Sequence, residues 1–214
     1  MAYSDFSLKD VSVRFGLSID KAPHFEAAPE LPPSPTLEII LREFDPLARS
    51  INTEKARSEL LVAPILVEVR RQLDHRVSLF SGIDFPADPA QGLNGVCDFL
   101  LSRSPEQEFL LAPVIAVVEA KNGNLKAGFG QCIAAMVGAR VYNQRDGQSI
   151  SPLYGVVTTG TAWQFLRLDG DVVGLDPKEY PVEGLGKILG ILASMLDDRL
   201  EPATTGPAAP KGQR

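Results

Sequence analysis

Two apolar runs constrain this chain more than any other feature, LNGVCDFLLS at 93–102 and LLAPVIAVVEAKN at 110–122, because each carries charge where a folded core admits none. Asp98 lies in the first run, and Glu119 and Lys121 lie in the second. In an extended strand successive side chains alternate between faces, so Val117, Glu119 and Lys121 share one face. Asp98 shares its face with Val96 and Leu100, while Cys97 and Phe99 point away. A buried unpaired carboxylate costs several kcal/mol or takes up a proton. Three charged groups inside two apolar strands therefore need each other or a metal ion.

The rest of the chain sets bounds. It has 214 residues, enough for one domain, with a formal net charge of −6 and a pI near 5.0. That balance provides no general field for a polyanion, so nucleic-acid contact would come from a local patch. Cys97 and Cys132 form no C-x-x-C pair and, with His24 and His75 distant, no zinc spacing. They read as buried thiols, both histidines as solvated, and Trp163 as core. No apolar stretch approaches the roughly 20 residues that span a bilayer. The start has no apolar region behind a basic stretch, so no signal peptide or membrane association is expected and a soluble cytoplasmic protein is.

In chain order, loose alternation from Ser7 to Ile19 predicts one or two peripheral strands, and KAPHFEAAPELPPSP a proline-rich strap. Together these make an N-terminal segment, residues 1–35. Thr36 can cap a short helix through LEIILREF that ends near Asp45-Pro46. A break at Asn52-Thr53 opens TEKARSELLVAPILVEVRRQL, apolar nearly all round. On its helical wheel Arg57 and Glu68 define the wet face, Glu59 projects to the dry side, and Pro64 kinks the helix. Glu54, in the first turn, is explained by the helix dipole alone.

A strand over VSLFSGIDF follows, then the Asp98 strand hairpinned to the one that ends at Lys121. A glycine-led helix through GQCIAAMVGARVYNQ comes next, then strands with turns at Gly160-Thr161 and Asp169-Gly170, and a last helix from about 182 to 200. These elements predict an α/β domain over 36–200 with a central mixed sheet, and a disordered tail over 201–214.

A helix glutamate (Glu59), a strand aspartate (Asp98), Glu119-Ala120-Lys121 in the next strand and a following helix with Gln131 resemble the PD-(D/E)XK nuclease superfamily. TEKARSELLVAPIL also resembles the start of the nuclease domain in type I restriction motor subunits. Two positions depart from the pattern: Cys97 stands where a proline precedes the aspartate, and Ala135 where exonuclease-like members carry a tyrosine. The resemblance implies a restriction endonuclease-like αβββαβ core and a Mg²⁺-dependent nuclease, with Mn²⁺ as a substitute.

On that reading Asp98, Glu119 and the Ala120 carbonyl would supply the hard oxygen ligands Mg²⁺ prefers, with Glu59 at a second ion. Lys121 and Gln131 would serve the attacking water, and Lys126 or Arg140 the DNA backbone. A homodimer would suit duplex cleavage. The competing expectation is a catalytically inactive interaction or regulatory protein with the same fold, its charges forming a buried salt-bridge cluster. The blandest reading makes Glu119 and Lys121 a surface ion pair worth about 0–1 kcal/mol. For Gln131 it is a local helix hydrogen bond.

Overall fold

The computed structural model describes residues 1–200, so the expectation for the tail falls outside the described residues. The N-terminal alternation is a helix. Ser7 caps α1 (Leu8–Phe15), accepting from the Asp10 amide while Asp10 reaches back to the Ser7 amide. Leu8, Val11 and Phe15 recur at helical spacing and face the core together. Only β1 (Ser18–Lys21) is extended, and it pairs in parallel with a later strand, so the N-terminal segment is woven into the main sheet.

The strap over 22–34 then crosses the opposite face. A Cβ on Gly190 would come 1.7 Å from the Pro29 carbonyl oxygen, so only glycine admits the strap there. Lys187 Nζ donates to the carbonyls of Glu26 and Ala28.

α2 (Pro35–Ile51) starts earlier and runs further than expected. Ser34 Oγ caps it, and Pro46 sits inside, because both Pro46 and the Arg42 carbonyl deprived of its donor lie on the exposed side. Asn52, in the left-handed conformation at φ 55°, ends the helix. Thr53 then caps α3 (Glu54–Arg57), which continues through a π-turn (Ser58–Val62) into α4 (Ala63–Gln72).

The π-turn changes which side chains face the sheet. Its wider turn accommodates Pro64, and the Ala63 amide reaches back five residues to the Ser58 carbonyl. The segments before and after it no longer share one helical wheel. Glu59, expected on the dry side, is 59% exposed and ion-paired with Lys55 at 2.6 Å. Glu68, expected on the wet face, is 5% exposed. It accepts from the Ser34 amide and hydroxyl at 3.0 and 2.9 Å, from Arg71 at 2.7 and 3.0 Å and from Gln72 at 2.8 Å. This cluster ties the strap and the start of α2 to α4.

Among the described residues eight strands form one mixed open sheet: β2 (Ser78–Asp84), β3 (Val96–Ser102), β4 (Val114–Ala120), β5 (Leu153–Thr158), β6 (Ala162–Asp169), β7 (Val172–Leu175) and β8 (Tyr180–Pro181) join β1. The order is β1-β7-β6-β5-β4-β3-β2, with β8 beside β6. β2, β3 and β4 are antiparallel neighbours, and β5 runs parallel to β4 after the crossover helix α5 (Phe129–Arg145).

α1 and α5 cover one face of the sheet. α2, α4, the strap and α6 (Leu185–Leu196) cover the other. Covered on both faces, β4 is buried throughout, which its continuous apolar run anticipates. Trp163 and both cysteines are buried core residues. His24 is half-buried against Gly174 rather than solvated. Among the described residues no helix is long and apolar enough to cross a membrane.

The Arg71 guanidinium, with Gln72 and Ser34, pulls the Glu68 carboxyl down to about 2 from an ordinary 4.5. A depressed carboxylate stabilises the fold above its unfolded pKa and loses that contribution as the proton binds. The expected outcome is a fall in stability between pH 4.5 and about 2, shallower in Glu68→Gln. At pH 7 Glu68→Ala should cost about 2 kcal/mol, read from urea unfolding.

Candidate functional site

The site lies at the C-terminal end of β4, where the ladder with β3 stops. Paired residues end at Phe99–Val118, and beyond them the Ala120 amide donates 2.8 Å to Asp98 Oδ2 instead of to the β3 backbone. Asp98, half-buried, and Glu119, fully buried, lie just beyond the last backbone pair. Register with β5 persists through Glu119–Val157 and Ala120–Thr158, so β4 stays anchored on that side.

Glu119 has no exposed surface. Gln131, in the first turn of α5, donates from Nε2 to Glu119 Oε2 at 2.8 Å. Among the described residues Glu119 Oε1 is buried with no hydrogen-bond partner, and the Asp98 carboxylate is near enough to act on Glu119 by its charge. Burial first, then the Asp98 charge, pushes the Glu119 carboxyl well above the usual range, and Lys121 pulls the other way. Two carboxyl groups this close hold one proton or one cation between them.

Lys121 lies on the other side of Glu119, its Nζ 4.0 Å from Glu119 Oε2 and 3.5 Å from Glu54 Oε1. Its stem packs against Gly128, where a Cβ would come 3.2 Å from Lys121 Cγ and Cε and 2.7 Å from Val157. The glycine in the entry to α5 therefore lets that helix close over the lysine. Cys97 and Cys132 border the carboxylates, and burial raises both thiols far above reactive values.

Asp98, Glu119, Lys121 and Gln131 thus lie together, Gln131 bonded to Glu119 and Lys121 4.0 Å from it. Glu59 is not; its carboxylate points to solvent beside Lys55, so no role for it as a metal ligand is carried forward. The helix acid at the site is Glu54, which is 49% exposed. Reading it as a helix-dipole residue was sufficient by itself, and the one available signal was its place in the first turn after the Thr53 cap. Arg140 is bound to the Gly170 carbonyl and Asp171, about 13 Å along α5 from Gln131.

No family model, curated protein or solved structure matches this chain. The site's chemistry therefore rests on its own geometry. Among the described residues no group of three or more His, Cys, Asp or Glu side chains is assembled as a metal cage. The arrangement offers a carboxylate pair, and Mg²⁺ characteristically binds through one or two carboxylates together with waters and substrate oxygens. The orphaned Glu119 oxygen beside Asp98 fits such an ion.

A raised carboxyl pKa has its own signature. Folding takes up a proton between the ordinary value of 4.5 and the raised value, so without metal the stability falls as pH rises through that interval. In EDTA, Glu119→Gln should flatten that slope and be the more stable protein at pH 8. Urea unfolding at pH 5, 6.5 and 8 reads both effects.

Proposed function

We propose that this chain is a Mg²⁺-dependent nuclease, with Mn²⁺ as a substitute, that hydrolyses phosphodiester bonds in DNA. The observation that carries the reading is the fully buried Glu119 facing Asp98 at the end of a central strand, with Lys121 two residues on and Gln131 bonded to the same carboxylate. The succession of α3–α4, three antiparallel strands, α5 and a fourth strand parallel to the third supports a restriction endonuclease-like core.

In this reading Asp98, Glu119 and the Ala120 carbonyl hold the ion, which supplies Lewis acidity and a more acidic bound water. Lys121 stabilises charge that develops on the phosphate, and Glu54 holds the ammonium at the reacting side. Gln131 fixes the orientation of Glu119. Lys126, exposed in the turn before α5, would offer a contact to the DNA backbone on an otherwise acidic protein. One site cuts one strand, so duplex cleavage implies a homodimer.

The second reading is an inactive interaction protein with the same fold. It is favoured by the complete burial of Glu119, which leaves Asp98 as the more accessible of the two carboxylates.

Incubation of supercoiled plasmid and single-stranded DNA with Mg²⁺ or Mn²⁺ separates the two. Metal-dependent cutting is expected, with Lys121→Ala and Asp98→Asn each slower by about 10²-fold or more. Folded wild type that cuts neither substrate under either metal would leave the interaction reading in its place.

A further inference from the structure

Lys121 and Glu54 come from elements with no sequence proximity, β4 and the first turn of α3, so something must set their separation of 3.5 Å. The β5–β6 turn is one part of it. The Lys121 amide donates to the Thr158 carbonyl at 2.7 Å, and Arg57 Nη1 donates to the adjacent Thr159 carbonyl at 3.0 Å. Arg57 also reaches back over its own helix start. Its Nε and Nη2 grip Asn52 Oδ1 at 3.2 and 3.0 Å. Between Asn52 and Arg57, Thr53 Oγ1 caps α3 by accepting from the Ala56 amide.

These contacts close a ring. It runs from Lys121 to the Thr158–Thr159 carbonyls, through the Arg57 guanidinium to the α2–α3 junction, and from Glu54 back to Lys121. Gly160, at φ +79°, packs the same turn on the π-turn, where a Cβ would meet Leu61 at 2.8 Å.

We propose that Arg57 is a positioning residue of the candidate active site, locking the α2–α3 junction onto the β5–β6 turn so that Glu54 is held against Lys121. The catalytic consequence rests on the nuclease reading; the geometric claim does not. A planar guanidinium serves here because two of its N–H groups hold the single Asn52 oxygen on one side while a third donates to a carbonyl on the other. Lysine would keep the Thr159 contact and lose the two-pronged hold on Asn52. The half-exposed Glu54 carboxylate has no bond within α3 to fix it, so its place is set by where the helix starts.

The test is a double-mutant cycle between Arg57→Ala and Glu54→Gln with two readouts, Mg²⁺-dependent DNA cleavage and melting temperature without metal. Arg57→Ala should lower kcat between about 10- and 100-fold with KM within a factor of two, and Arg57→Lys should recover only part. In the Glu54→Gln background Arg57→Ala should slow cleavage no further. Likewise, the drop in melting temperature caused by Glu54→Gln should vanish once Arg57 is alanine.

Additive losses in either readout would overturn the proposal, because Arg57 would then act independently of Glu54. Were wild type to cut no DNA, the nuclease reading would fail and the melting cycle would still decide the role of Arg57.

Discussion

A carboxyl group with no solvent exposure sits at the end of the central strand, and the surrounding structure is arranged to tolerate it. Removing an ionised carboxylate from water costs several kcal/mol even after the protein relaxes. Gln131 donates to one oxygen and Lys121 stands 4.0 Å away, which offsets part of that cost, while the neighbouring Asp98 charge adds to it, so a proton or a cation is needed there. The same Asp98 takes the Ala120 amide that the β3 ladder leaves unpaired, so the end of the ladder fixes where this carboxylate sits.

The scaffold around this pair is stiff where the site needs it. β4 is held by β5 in register up to Ala120, and α5 closes over the Lys121 stem because residue 128 has no side chain. On the opposite face the strap is clamped by the two Ser34 hydrogen bonds to Glu68, by Gln72 on the Pro32 carbonyl and by its close approach to Gly190. These contacts press α4 against the sheet, and through the π-turn they carry α3, with Glu54 and Arg57, to the open end of β4.

Much of this was legible from residues alone. The apolar runs around Asp98 and Glu119 marked two central strands, and the alternation rule put Glu119 and Lys121 on one face, where they meet. The mixed sheet followed from the order of elements. What misled was helical phase. A wheel of 100° per residue assumes an unbroken α-helix, and the π-turn ahead of Pro64 breaks it, which sends Glu59 outward and Glu68 inward. At the N-terminus Val11, Val13 and Phe15 alternate as in a strand while Leu8, Val11 and Phe15 fit a helix, and the Ser7–Asp10 capping box decided for the helix. Glu54 was given no place at the site because a first-turn acid already has a sufficient local cause, and its partner Lys121 lies far away in sequence.

The central claim is that Asp98 and Glu119 together hold a divalent cation. Calorimetric titration of the wild-type protein with Mn²⁺ tests it most directly, beside Asp98→Asn and Glu119→Gln shown to be folded. The expected result is a single saturable site in wild type that is absent from both variants. A wild type that takes up no Mn²⁺, or variants that bind it as wild type does, would contradict the assignment.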